Sequence, residues 1–354
     1  MNSSKITGTG AFIPSIIKEN KAFLNENFLN EDGSSFASGN DVIIEKFQAI
    51  TGIAERRYAK PEYNTSDLAF FAAEKAIKDA NINQEDLSYI IVAHNFGDVK
   101  SGSNQTDLLP SLATRVKHKL GIENPNCVAY DILFGCPGWI EAMIQAHAFI
   151  KAGMANKCLV IGAETLSRVV DKYDRDSMIF SDGAGATILE ATNDEESGVL
   201  STATQTFSKE EAYFLHYGDS FNKADDTDVR YIKMLGRKIY EFALVHVPLA
   251  MKFALDKSGV PIEDVKKIFI HQANEKMDEA IIKRFFRLFK KKVPVGVMPM
   301  SIHKLGNSSV ATVPTLLDLV LKGEFEDQEV NKGDVVIFAS VGAGMNLNAI
   351  VYRF

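Results

Sequence analysis

The sequence predicts an α/β fold built from two like halves. Two observations carry that expectation: buried-strand patterns alternate with helix-period segments, and the alternation repeats about half a chain later. Apolar runs at Tyr89 to Ala93, Cys158 to Gly162, Lys267 to Ile270 and Val335 to Ser340 read as buried strands. Asp67 to Ala80 and Met234 to Lys257 place apolar residues at three- and four-residue spacing, the period of an amphipathic helix. Aligning Ala72 with Ala250 brings Glu85-Asp86-Leu87 onto Glu263-Asp264-Val265 and Ile90-Ile91-Val92 onto Ile268-Phe269-Ile270. Each half then reads as helix, turn, acidic pair and strand. A second echo pairs Gly183-Ala184-Gly185-Ala186 with Gly342-Ala343-Gly344-Met345. We expect residues 1–190 to form one half and residues 191–354 the other. Ala191 to Arg230 is polar and reads as a link with a surface excursion. Asn25 to Asn40 reads as a surface loop or lid.

Composition narrows the class. A chain of 354 residues with 46% hydrophobic content can bury a large core. A formal net charge of -7 argues against general nucleic-acid binding, which needs a cationic footprint. The three cysteines, Cys127, Cys136 and Cys158, are too few and too scattered for a disulfide framework and have no zinc-site spacing. They fit a reducing compartment, so a cytoplasmic location is expected. The opening residues lack the apolar run of a signal peptide, and no stretch is apolar enough to span a membrane.

The candidate nucleophile is Cys136. Cys127 to Tyr130 reads as a strand, and Ile140, Met143, Ile144, His147 and Ile150 keep helical spacing after it, with Gly153 as a stop. Pro137 suits a first helical position. Strand, Gly135, Cys136 and helix together present a thiol at a helix N-terminus. There the macrodipole is expected to lower its pKa, and the free N–H groups to hold an oxyanion. The competing reading is a small buried cysteine, which we assign to Cys127 and Cys158.

A cysteine nucleophile needs polar partners. His271 ends the strand Ile268-Phe269-Ile270 and opens His271-Gln272-Ala273-Asn274. The C-terminal end of a strand is where α/β sheets place ligands. Asn307 lies in Leu305-Gly306-Asn307-Ser308-Ser309, ahead of the helix-like run Val313 to Lys322, and taken alone it also reads as a helix cap. Like halves can bring Cys136 and Asn307 to one cleft.

Cys136, His271-Gln272-Ala273-Asn274, Gly306-Asn307-Ser308-Ser309 and the ending from Gly342 to Phe354 resemble ketoacyl-acyl carrier protein synthase III, a family of thiolase-fold condensing enzymes. Thr51 to Arg57 and Asp182 to Ala186 extend the likeness along nearly the whole chain. The resemblance implies a thiolase-like fold, two duplicated halves in a five-layered α-β-α-β-α core, and a homodimer. It implies an acyltransferase in which Cys136 takes the acyl group and His271 and Asn307 complete the triad. The backbone of Cys136, Ala343 and Gly344 would form the oxyanion hole. No metal or redox cofactor is required. Acyl carrier protein or coenzyme A thioesters would be the substrates, in fatty acid biosynthesis or a related pathway.

Some residues depart from the family pattern. Lys46 and Ile50 stand where members primed by acetyl coenzyme A carry a tryptophan and an arginine. Leu109 takes the place of an aromatic residue that, from the neighbouring subunit, limits the acyl pocket; Phe134 is expected to line that pocket too. These departures resemble the DarB-like ketosynthases of dialkylresorcinol and flexirubin-type pigments, which join a β-keto acyl thioester to a second thioester and close a cyclohexanedione. A cysteine-dependent acyltransferase or thioester hydrolase is the alternative of a different class. Finally, Lys276, Lys283, Arg284 and Arg287 form a basic run in an acidic chain. Acyl carrier proteins are acidic, so this run is the expected docking patch, with Lys276 at the family's contact position.

Overall fold

Strand alternation sorts the apolar side chains onto opposite faces, and the layers follow from it. The computed structural model describes residues 3–194, 196–224, 227–325 and 327–354. In chain order the main elements are β1 (Ser3–Phe12), α1 (Asn40–Thr51), α2 (Thr65–Ala80), β2 (Tyr89–Ala93), α3 (Leu112–Leu120), β3 (Val128–Ile132), α4 (Gly138–Lys151), β4 (Lys157–Thr165) and β5 (Asp182–Thr192). They continue with β6 (Gly198–Thr206), α5 (Gly236–Ser258), β7 (Val265–Ile270), α6 (Glu275–Leu288), α7 (Thr312–Leu321), β8 (Val335–Gly342) and β9 (Asn346–Arg353).

The first sheet has the order β1-β5-β4-β2-β3 and the second β6-β9-β8-β7. β2 runs parallel to β3 and β4, while β5 is antiparallel to β4 and β1. In the second sheet β7 and β8 are parallel, and β9 is antiparallel to β8 and β6. Ile90, Val92, Leu159 and Ile161 pack outward on α2 and α3. Their neighbours Ile91 and Val160 face inward, as the two-residue period of a strand requires. In the second sheet Ile268, Ile270 and Ile337 pack outward on α5 and α6, while Phe269, Val336 and Phe338 face inward. Helices α4 and α7 fill the space between the sheets through Trp139, Met143, Leu316 and Leu317. The result is the expected α-β-α-β-α stack.

The duplicated pattern is visible in the elements. The turns Gln84–Asp86 and Ile262–Asp264 lead into the equivalent strands β2 and β7. One expectation needs correction. The polar stretch from Ala191 is not only a link, because it contains β6, which pairs with β9 along the second sheet. Its Ser, Thr and Gln content hid an edge strand, where one side of the backbone faces no neighbour. The excursion that follows is a hairpin, Leu215–Asp219 paired with Arg230–Met234. The Asn25 to Asn40 segment carries no regular element beyond an isolated Leu29–Ser35 bridge before Asn40 opens α1. It is nonetheless anchored, since Phe28 and Leu29 are buried. Among the described residues no helix is long and apolar enough to cross a membrane.

Candidate active site

Cys136 lies between the end of β3 and the start of α4. Gly135 turns the chain with φ +67°, a left-handed value that glycine adopts without steric cost. Pro137 occupies the cap position before α4, one residue earlier than expected. The electrostatic expectation is overturned. Burial pushes the Cys136 thiol up to about 11, against a lowering by a hydrogen bond from Ser309. Removing the thiolate from water outweighs the hydrogen bonds from Ser309 and the Cys136 backbone, so the resting group is a thiol near neutral pH.

His271 follows β7 directly, and its N–H donates to the Ala339 carbonyl on β8 at 2.9 Å. Burial lowers its imidazole to about 4, opposed by the Ser309 backbone. The ring is therefore neutral near pH 7, with one N–H donor and one acceptor nitrogen. Its Nδ1 has no hydrogen-bond partner among the described residues.

Asn307 is anchored across the halves. Its N–H donates to Ile179 O at 3.0 Å, and its carbonyl accepts from Ser181 N at 2.8 Å. Its Oδ1 accepts from Ser309 N at 2.8 Å, which fixes the amide plane and leaves Nδ2 as the donor end. A short 3₁₀ turn, Ser309–Ala311, separates it from α7, whose cap is Ala311. The side chain thus caps a loop N–H and not the helix.

Cys136, His271 and Asn307 all line one cavity of about 1190 Å³. The backbone beside Cys136 is equally constrained. A Cβ on Gly342 would sit 2.4 Å from Cys136 N, and one on Gly135 would sit 2.6 Å from Ala343 N. Only glycines at these two positions leave room for the backbone of the facing loop. Ala343 lines the cavity, and Gly344 behind it has φ +76°.

Two family models match the chain. The model described as 3-oxoacyl-[acyl-carrier-protein (ACP)] synthase III matches residues 130–208, and its C-terminal counterpart matches residues 255–354. The beta-ketoacyl-[acyl-carrier-protein] synthase III 1 of Vibrio vulnificus strain YJ016 is 32% identical over 99% of both chains. The chain belongs to the 3-oxoacyl-[acyl-carrier-protein] synthase III family. It is a condensing acyltransferase of that type. The synthase III of Ehrlichia ruminantium strain Welgevonden is likewise 32% identical over 100% of both chains. The solved synthase III of Aquifex aeolicus superposes with a TM-score of 0.81 at 31% identity, covering 99% of this chain and 100% of that one. At 19% identity, a single-residue variant of Xanthomonas campestris OleA shares the fold, with a TM-score of 0.77 over 100% of this chain and 98% of that one.

The other expected site residues are distributed unevenly. Lys276, Lys283, Arg284 and Arg287 are exposed on α6, whose first turn sends Met277 to the cavity wall beside Asn274. Asn274 caps that helix, its Oδ1 accepting from Met277 N at 3.0 Å. Lys283 pairs with Glu279 at 3.0 Å, and Arg284 donates to Leu244 O at 3.1 Å. Lys46 and Ile50 line the cavity, and so do Glu31, Phe36, Ala37 and Ser38 of the extended loop. Leu109 and Phe134 are not on its wall. The loop before Pro110 carries Leu109 into solvent, 88% exposed.

Sequence reasoning missed several groups. Arg175, Arg237 and Lys238 add cations to the cavity. Asn95 lines it beside Ser309, and Asn95 Nδ2 donates to the buried Glu164. Ser309 stood in the Gly-Asn-Ser-Ser run, and Asn95 stands just beyond β2 as His271 stands beyond β7. Glu164 carried no signal, because a carboxylate in a strand reads as a solvated side chain.

Proposed function

We propose that this chain accepts an acyl group on Cys136 and condenses it with a carrier-bound malonyl-type extender. The supporting observation is the convergence of Cys136, a neutral His271 and Asn307 on one cavity. In the loading step Sγ attacks the donor thioester carbonyl. An S–C bond forms, and the donor thiol leaves with the proton of Cys136. In the second step the His271 ring N–H and Asn307 Nδ2 hold the extender's thioester oxygen. The bond to the extender carboxylate breaks, CO₂ leaves, and its electron pair remains as an enolate on that oxygen. Two fixed donors in a water-poor site stabilise this charge. The enolate carbon attacks the acyl carbonyl, Cys136 leaves as thiolate, and a β-keto thioester is released. The N–H groups of Cys136 and Ala343, with Gly344 shaping the turn, hold the tetrahedral oxyanion.

The remaining assignments belong to the same proposal. Residues 1–190 supply the nucleophile and residues 191–354 its partners. Lys276, Lys283, Arg284 and Arg287 dock an acidic acyl carrier protein. The chain works as a homodimer in the cytoplasm. β3 is one edge of the first sheet, and Val128, Leu133 and Leu109 are exposed apolar residues near it. A second copy paired there would cover them and bring Leu109, with Phe134, to an acyl pocket.

The cavity volume favours a second reading of the substrate. About 1190 Å³ far exceeds what a two-carbon primer needs. Lys46 and Ile50 on its wall also replace the pair that flanks adenine. A longer acyl or β-keto acyl donor, as in the DarB-like cyclohexanedione chemistry, fits both facts. Release of CO₂ from a malonyl-loaded carrier tests the core reaction. His271→Ala and Asn307→Ala are expected to lose about 10²–10³-fold each, the usual cost of one oxyanion donor. Undiminished release in both would remove their assigned role.

A further inference from the structure

Burial and a neutral histidine leave the Cys136 thiolate short of stabilisation. The imidazole carries no positive charge near neutral pH, and the buried Glu164 carboxyl acts against thiolate formation once it ionises. One side chain acts the other way. Ser309 Oγ lies 3.3 Å from Cys136 Sγ. We propose that Ser309 is a further catalytic residue whose hydroxyl donates to the Cys136 thiolate, with Asn95 and Glu164 as positioning residues that fix the direction of that donation.

The argument is one of donors and acceptors. Asn95 Nδ2 lies 3.1 Å from Ser309 Oγ and also donates to Glu164 Oε1. An amide nitrogen has no lone pair to offer, so Ser309 Oγ must be the acceptor in that contact. Its own hydrogen is then free for Sγ and for no competing acceptor on that side. The backbone of Ser309 is committed at the same time. It adopts φ +53°, unusual for a residue with a side chain, and its N–H holds Asn307 Oδ1 at 2.8 Å. One serine thus orients both the nucleophile and the enolate-binding amide.

Glu164 suits the anchoring role because it is neutral through most of the working range. Burial pushes its carboxyl up to about 8, and it is 1% exposed. As an acid it accepts from Asn95 without placing a full charge near the thiolate. Glu164 from β4, His271 just after β7 and Tyr217 from the Leu215–Asp219 strand are titratable side chains around this cluster, with Asp182 acting on Glu164 and Glu164 acting on Tyr217.

The test is the pH dependence of Cys136 alkylation by iodoacetamide, read by intact mass and peptide mapping. Each event forms an S–C bond and expels iodide, and it needs no acyl substrate. Its outcome is therefore separate from whether the condensation reading holds. Ser309→Ala is expected to alkylate roughly tenfold more slowly below the midpoint, a shift of about one pH unit. Glu164→Gln keeps an acceptor for Asn95 but removes the ionisable group, so its midpoint stays level or falls. If Ser309→Ala misfolds, the buried Cys127 and Cys158 also react, and Asn95→Ala supplies the reading instead, with an upward shift expected. A wild-type midpoint in a singly alkylated Ser309→Ala, or in Asn95→Ala, overturns the proposal.

Discussion

At the residue scale, desolvation sets the protonation states, and it sets them differently for the sulfur and the ring. Burial raises Cys136 and lowers His271 to about 4, in each case by disfavouring the charged form. Decarboxylation of a malonyl thioester needs the neutral ring as a donor. Its rate is therefore expected to persist unchanged through pH 6.5, where an ordinary histidine gains its proton, and to fall only toward pH 4. A decline centred near 6.5 would contradict this. Stability carries the same sign. His147 is also held down, to about 4, by burial and Lys151. Both rings bind protons more readily in the unfolded chain. The stability they contribute is full above pH 6.5 and lost as pH falls toward 4. Denaturant titrations across that window, compared with His147→Gln, check it.

At the element scale, the active site depends on two loops meeting backbone to backbone. The β8–β9 turn touches the β3–α4 turn through Gly342 and Gly135. A methyl group at position 342 would force Cys136 N aside, because nothing at 2.4 Å can yield without moving the main chain. Gly342→Ala is expected to lower stability by about 1–3 kcal/mol, as overpacking does. Condensation should fall further than the stability loss explains. Urea denaturation alongside a rate assay separates the two effects, and an unchanged rate would contradict the tight approach. These loops were partly legible from sequence. Gly135-Cys136-Pro137-Gly138 announced a strand-to-helix turn, and His271 a strand end, because glycine, proline and period changes are local signals. Ser309's contact with Cys136 was not legible, since it joins positions 173 residues apart. The raised thiol was not legible either. A helix N-terminus can be read from neighbours in sequence, whereas desolvation depends on what the fold packs around it. β6 was missed because an edge strand rich in Ser and Thr lacks the apolar run that marked β2 and β8.

At the scale of the whole molecule, the middle layer makes the halves one structure. Trp139, the chain's single tryptophan, sits in α4 and is 1% exposed. It packs edge-on against Phe338 of β8, and its Nε1 donates to Thr187 on β5 at 3.0 Å. The same core therefore belongs to both sheets. Tryptophan fluorescence and far-UV circular dichroism are expected to report one coincident unfolding transition. Two separated transitions would show that the halves stand apart. This layering was the most legible property of the chain. The repeat of helix, acidic turn and strand pointed to two like units, and inward-facing residues such as Phe269 and Ile91 had to meet something apolar. The loop ahead of α1 was the least legible, because its polar residues gave no period and its anchors, buried Phe28 and Leu29 and the Phe36 ring under Arg175, are tertiary contacts. The central claim spans all three scales: the fold presents Cys136 to accept an acyl group. Intact-mass measurement after incubation with acyl and β-keto acyl thioesters, on carrier protein and on coenzyme A, tests it most directly. The account predicts one acyl adduct that maps to Cys136, favours longer chains and is absent in Cys136→Ala. No adduct from any donor, or an adduct that persists in Cys136→Ala, would contradict it.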